Sequence, residues 1–436
     1  MSPLAVALGS LALMLVLIYA GMHVAVALGV VSFAGVWLIR GDVEVAANLL
    51  AQAASDAIAS HVFGVVPLFV LMGFLVAVAD VGRDAFEVAE RLFRRVAGGL
   101  GVATVAANAV FAAITGISIA SAAVFTRVAV PQMLRFGYRP RFAVGVVAGS
   151  SVLGMLIPPS LLMILYGFLA NQSVGELFIA GIVPGLVLAG AYSVAIVAMA
   201  LLAPGWVRGA REAAELPPLG PVAMLAKLAP SVLLIALCLG GIYAGVFTAT
   251  EGGAVGAAGA LAVALARGKL DWPRLREVLI ETGHVTVAVS FLIICANIYT
   301  RMLAMSGAPQ FLLETLTGAG LGAGAFLAFY IATILLLGTI IDSSSILLIV
   351  LPLTLPLAQG FGMDLVWFGV VTVVAVEIGL LTPPFGLSAY VIKSSLADPR
   401  IGLGDIFRGA APFTFIMFLV LVALVAFPQL SLVLVR

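Results

Sequence analysis

Two short polar segments interrupt otherwise apolar sequence, and their residue types suit a hard cation. ITGISIAS fills 114–121 and LGTIIDSSS fills 337–345. Each is followed downstream by a double proline, LGMLIPPS at 153–160 and IGLLTPPFG at 378–386. Paired prolines within a helix remove backbone donors and free carbonyls. Freed carbonyls, helix C-terminal ends and hydroxyls can ligate sodium, while helix N-termini turn positive dipole ends toward a carboxylate. The candidate cation ligands are Thr115, Gly116, Ser118, Gly154 and Pro158 in the first half, and Thr339, Asp342, Ser343, Gly379, Thr382 and Pro383 in the second. The candidate anion contacts are Ser118, Ser160, Ser343, Ser344, Gly386 and Arg127. Glu377, just before the second break, is ionisable at depth, and such groups are functional by default. The plainer alternatives are small serines that pack helices together and an Arg127 that snorkels to the surface.

These segments need a lipid environment. Hydrophobic residues make up 63% of the 436 residues and charged ones 9%, against roughly 25% charged in soluble domains. Ten apolar runs approach the ~20 residues that cross a bilayer: 4–20, 22–39, 61–79, 143–168, 177–203, 228–247, 248–266, 277–305, 366–392 and 410–430. Stretches 100–130 and 321–355 are long but broken by the polar segments. Half of either is about 15 residues, or ~22 Å of helix, short of a ~30 Å core. Both read as re-entrant hairpins with polar tips near mid-membrane, where protein or a watery cavity must satisfy the backbone.

Charge placement supports this layout. Following the chain through ten spans and two hairpins puts 17 of the 21 basic residues on one side, leaving Arg40, Arg127, Arg301 and Arg436. The positive-inside rule makes the crowded side cytoplasmic, so both termini are expected in the periplasm. An offset of 225 residues brings Ser118 onto Ser343, Pro131 onto Pro356, Gly154 onto Gly379 and Pro158-Pro159 onto Pro383-Pro384. Each half holds an odd number of crossings, so the second repeat is expected inverted. In keeping with that, PQMLRFGYRPR at 131–141 carries three arginines and its partner PLAQGFGMDLV at 356–366 carries no basic residue. Inverted repeats are a secondary-transporter architecture with the site at their interface.

Other features read as structural. Thr248-x-x-Glu251 is a capping box. RDAFEVAERLFRR at 83–95 is an amphipathic, basic, interfacial helix. Cys238 and Cys295 lie singly in apolar runs, and His23, His61 and His284 are scattered. Neither set forms a metal or redox motif, so no cofactor is expected beyond sodium as coupling ion. No GxxxxGK[ST] segment is present to take ATP, and no basic stripe suggests nucleic acid. The opening MSPLAVALGS lacks a charged n-region and reads as part of a retained span.

Several stretches together resemble a known family, the large membrane subunit (DctM type) of tripartite ATP-independent periplasmic (TRAP) transporters. They are TGISIASAAVFTRVAVPQMLRFGY (115–138), GMLIPPSLLMILYG (154–167), GELFIAGIVPG (175–185), GVFTATEGGAVGA (245–257), EIGLLTPPFGL (377–387) and DIFRGAAPF (405–413). The resemblance implies an elevator-type symporter fed by a periplasmic substrate-binding protein, a small membrane subunit of about four helices, and sodium as the usual coupling ion. The family's first tip reads closer to TGSS, whereas this chain has Ile117 before Ser118.

The expected protein is an all-α polytopic inner-membrane subunit that imports a small organic acid with sodium. Residues 1–60 are expected to form scaffold helices of the first repeat, and 61–203 its arm, hairpin and broken helix. Residues 204–276 then give a cytoplasmic linker and second scaffold, and 277–436 the second arm, hairpin and broken helix. The alternative is a stand-alone carrier of the same fold. An intramembrane enzyme would need converging nucleophile, base or metal ligands, and the histidine positions give no such cluster.

Overall fold

A computed structural model describes residues 2–59, 64–208, 220–384, 386–396 and 398–436. The start of the expected span at 61 and residues 209–219 of the expected linker lie outside the described residues. Everything described is helical apart from connections and one isolated bridge between Tyr138 and Arg208.

The first half opens with α1 (Pro3–Tyr19), α2 (Val24–Arg40) and α3 (Val43–Ala59). The split of the first two falls at Gly21, which takes φ +93°. α4 (Val65–Val78) meets α5 (Val81–Phe93) at a 60° bend. α5 is the expected amphipathic helix, and its acids are anchored. Asp84 pairs with Lys227 at 2.9 Å and Arg267 at 2.6 Å, Glu87 with Lys227 at 2.8 Å, and Asp80 with Lys269 at 2.8 Å. The first hairpin follows as α6 (Gly99–Thr115) and α7 (Ser118–Arg135). Then come the broken helix α8 (Pro140–Ser151), α9 (Leu153–Leu156) and α10 (Leu161–Ala170), the 29-residue α11 (Val174–Leu202) and the short α12 (Pro204–Val207).

The second half is cut at matching places. α13 (Pro221–Ile235) runs through a π turn (Ala236–Gly240) into α14 (Gly241–Tyr243). α15 (Ala249–Ala266) and the 35-residue α16 (Trp272–Ser306) lead to α17 (Ala308–Gly318). The second hairpin is α18 (Ala323–Gly338) and α19 (Ser343–Gly360). α20 (Leu365–Leu381) and α21 (Leu387–Ser395) flank the second break, before α22 (Leu403–Ala426) and α23 (Gln429–Leu432). The 225-residue offset carries α7 onto both ends of α19, and the first residues of α2 and α8 onto those of α15 and α20.

Three details depart from expectation. α3 and α17 were not foreseen as separate helices; both mix polar with apolar residues and carry no long hydrophobic run. The hairpin arms are 17, 18, 16 and 18 residues long, so the longer ones reach about 27 Å and not the ~22 Å anticipated. By length and composition, seven helices among the described residues can cross a membrane, or eight with the bent pair, while α1, α2, α6, α18 and α20 are shorter apolar helices. Ten apolar runs in sequence therefore become a mixture of long, short and broken helices.

Packing is close where the site is built. α8 crosses α22 through Gly145 and Gly409, and a Cβ on Gly145 would lie 2.2 Å from the Gly409 carbonyl oxygen. Away from such contacts large apolar side chains stay exposed, among them Leu186 and Val194 on α11, Leu225 and Leu233 on α13 and Phe329 on α18. A protein in water avoids a broad apolar surface of this kind; one in lipid needs it.

Candidate functional site

The first tip is a tight backbone turn. α6 ends at Thr115, whose hydroxyl donates to the Phe111 carbonyl at 3.0 Å. Gly116 then turns with φ +66°, and a Cβ there would meet the Pro159 carbonyl oxygen at 2.5 Å. Only glycine combines that dihedral with that approach. Ser118 begins α7 and is fully buried. The first break closes onto this tip. The Leu161 N–H donates to the Gly116 carbonyl at 3.1 Å. A Cβ on Gly154 would stand 3.0 Å from the Ile117 backbone. Ser160 caps α10: its hydroxyl accepts from the Met163 N–H at 3.3 Å and donates to the Met155 carbonyl. Ser160 is thus occupied in holding the break. Pro158 and Pro159 are buried, and a void of about 10 Å³ lies between tip and break, bordered by Phe69, Gly116 and Ser160.

The second tip has the same plan in a more open form. Thr339 follows α18, and its hydroxyl donates to the Leu336 carbonyl at 2.8 Å. Asp342 is the N-cap of α19: its carboxylate accepts the Ser345 N–H at 3.1 Å and the Ser345 hydroxyl at 2.5 Å. Ser343 starts α19 and is buried, while Ser344 is half-buried. Gly338 and Gly379 let α18 touch α20, a Cβ on either lying within 2.7 Å of the other's Cα. Thr382 donates its hydroxyl to the Ile378 carbonyl at 2.7 Å. Gly386 turns with φ +55° against Phe407. Pro383 and Pro384 are exposed, unlike their counterparts in the first break.

The two halves meet at one carboxyl. Glu377, within α20 and fully buried, accepts a long 3.5 Å hydrogen bond from the Ser118 hydroxyl on Oε1. The Ser343 hydroxyl addresses the same carboxyl. Oε2 has no partner among the described residues. Tyr192, on α11, lies within electrostatic range, and its own buried hydroxyl has no partner among the described residues. Two helix N-termini, two pseudo-equivalent hydroxyls and an acid with a bare oxygen therefore converge from sequence positions as far as 259 residues apart. An unsatisfied buried oxygen costs about 1–3 kcal/mol, and an all-oxygen donor set of this kind suits a small hard cation.

Not every candidate joins this cluster. Arg127 is exposed and borders a separate cavity with Arg135 and Arg400. Glu251 is in the capping box anticipated from sequence. Its carboxylate accepts the Thr248 N–H at 2.9 Å, and the Thr248 hydroxyl accepts the Glu251 N–H at 3.3 Å. Tyr192 had not been singled out in sequence, nor had Asn108, which donates to the Ser150 hydroxyl at 2.6 Å. The available signal was a polar side chain inside a long apolar helix.

Comparison with known proteins gives the family of the chain. The family model "Tripartite ATP-independent periplasmic transporter, DctM component" matches residues 11–430. A C4-dicarboxylate TRAP transporter large permease protein of Pseudomonas aeruginosa is 34% identical over 376 residues, 85% of either chain. A sialic acid TRAP transporter large permease protein of Vibrio cholerae is 30% identical, covering 96% of both. An isethionate TRAP transporter permease protein of Oleidesulfovibrio alaskensis is 29% identical over 92% of this chain and 61% of that one. Among solved structures, the YdaH transporter of Alcanivorax borkumensis, described as having an unusual topology, superposes with a TM-score of 0.59 at 15% identity over 88% of both chains. That likeness concerns the fold alone. The all-helical membrane chain is a transporter permease and not an enzyme, and it belongs to the TRAP transporter family as the DctM, or large permease, component.

Proposed function

We propose that this chain is the translocating subunit of a secondary symporter that moves a small organic anion inward together with sodium. The observation that carries the reading is the convergence of Ser118 and Ser343, the first residues of α7 and α19, on buried Glu377. In this reading hydroxyl and carboxylate oxygens of the cluster, with the carbonyls of tips and breaks, hold the cation. The N-termini of α7 and α19 supply the positive ends that hold a carboxylate. Thr115, Gly116, Gly154 and Pro158 shape one cation site, and Thr339, Asp342, Gly379, Thr382 and Pro383 the other. The second half sits inverted in the inner membrane with both termini periplasmic. The hairpins and broken helices move together against α1, α2, α13 and α15. A periplasmic binding protein delivers the substrate, and a small membrane subunit of about four helices accompanies this one. The relatives named above for C4-dicarboxylates, sialic acid and isethionate all carry small organic anions in their names, which supports the substrate class.

The test is uptake in proteoliposomes holding this chain, the small subunit and the loaded binding protein. An inward sodium gradient is expected to be required. Undiminished uptake in sodium-free buffer under a pH gradient alone would overturn the coupling, and uptake by this chain alone would favour a stand-alone carrier.

A further inference from the structure

A cavity of about 840 Å³ opens between α7 and the connection from α21 to α22. Such a volume lies within the range that encloses small ligands, roughly 300–1,000 Å³. Arg127 and Arg135 line it from α7, and Ser395, Asp398 and Arg400 from the other wall. The charges are unequal. Asp398 holds Arg400 through two side-chain bonds, at 3.0 and 2.8 Å. Those same bonds keep the Asp398 carboxyl at about 2, so it stays ionised at neutral pH and cancels Arg400. Arg127 and Arg135 have no hydrogen bond or ion pair among the described residues. Arg135 acts electrostatically on Glu90, whose carboxylate lies 3.6 Å from Arg91. The cavity therefore holds two guanidinium groups without a hydrogen bond or ion pair among the described residues. A neighbouring cavity of about 580 Å³ shares Asp398 and Arg400 and adds Arg139, Arg141 and Asp405; Asp405 pairs with Arg141 at 3.3 Å, so Arg139 extends the positive charge outward.

Both walls lead back to the central cluster. α7 begins at Ser118 and α21 begins after the second break. Arg127 lies nine residues along α7 from Ser118, about 13 Å, and Arg135 about 12 Å farther. The two arginines therefore stand in sequence along the helix that leaves the site, toward the face where most basic residues cluster.

We propose that this cavity is a second anion site, a relay that receives the carboxylate of the transported anion after it leaves the hairpin tips. This rests on the organic-anion reading above, though not on sodium as its driver. Delocalised guanidinium forks suit a carboxylate without binding it irreversibly when the pocket stays open to water.

The test needs no transport. The Ser395→Cys variant, with the buried native Cys238 and Cys295 left in place, is labelled in reconstituted protein by a negatively or a positively charged methanethiosulfonate. The expected rate favours the anionic reagent by about tenfold or more, since a focused positive field concentrates anions by at least that factor. Arg127→Gln with Arg135→Gln removes the preference, and succinate slows labelling in the parent but not in that double variant. Equal rates for both reagents, or succinate protection that survives the double substitution, would overturn the proposal. Nanodiscs of neutral lipid alone are compared with discs containing phosphatidylglycerol. Protection by the anionic lipid and none by succinate would assign the cavity to a headgroup and end the relay reading. Loss of sodium dependence in the uptake assay would sink the coupling and leave the labelling result standing.

Discussion

Replacing Ser118 with alanine tests whether the tips bind ions or merely pack. The volume is nearly unchanged, so the substitution isolates one hydroxyl. Its hydrogen bond to Glu377 is 3.5 Å long, at the outer limit of hydrogen bonding. As a packing contact it would contribute little; side-chain hydrogen bonds between membrane helices average ~0.6 kcal/mol, about threefold in any equilibrium. As an ion ligand it would matter more, because its loss leaves a buried partner unsatisfied at ~1–3 kcal/mol, roughly 5- to 150-fold. Ser118→Ala and Ser343→Ala are each expected to raise the sodium concentration for half-maximal uptake by more than fivefold, with far less effect on folding. Both serines address one carboxyl, so their effects should not add; residues sharing a partner typically couple by 0.5–3 kcal/mol. Glu377→Gln keeps the shape and removes the acid, and in that background the serine effects should shrink. Sodium-dependent thermal stabilisation in detergent gives a second readout, since a ligand that binds only the folded state raises stability by RT ln(1 + [L]/Kd). Wild-type sodium dependence in both serine variants, or additive effects of the two substitutions, would refute the reasoning.

Three further outcomes follow from the packing and layout. Gly145→Ala, whose new Cβ meets the Gly409 carbonyl oxygen at 2.2 Å, should lower stability in detergent by ~1–3 kcal/mol, as overpacking does; an unchanged melting temperature would mean the α8–α22 crossing is looser than described. Asp84→Asn leaves Lys227 and Arg267 short of a partner and should destabilise the α5 anchor by about 1–3 kcal/mol, seen as faster proteolysis of the α4–α5 region. Arg139→Cys and Gln359→Cys lie just after and at the end of the returning hairpin arms α7 and α19, so an impermeant thiol reagent applied to intact cells without substrate should label the second and spare the first. Periplasmic labelling at 139 would end the inverted arrangement.

How much could be read from the chain varies with how local the signal is. The capping box at Thr248 and Glu251 was legible because its partners are three residues apart. The hairpin turn at Gly116 and the helix start at Ser118 were legible too, because small polar residues interrupted an apolar run. Asp342 was noticed as an ionisable residue at a tip, yet its observed bonds are those of an N-cap to Ser345; sequence could not separate a ligand from a cap, since the same carboxylate does either. α3 escaped because Glu44, Asn48, Gln52 and Asp56 break its hydrophobicity, although buried alanines hold one face of it against its neighbours.

Composition alone required a membrane, since a surface so poor in charge cannot face water. The spacing of glycines and prolines gave the repeat and placed both tips and both breaks, because these residues act through their own backbones. Tertiary structure alone decided that Ser118 and Ser343 would meet at Glu377, that Ser160 would spend its hydroxyl on a break, and that Arg127 would leave the tip for another cavity. Those outcomes depend on how helices hundreds of residues apart cross, and crossings are fixed by the summed packing of whole helix faces, which no short stretch of sequence contains.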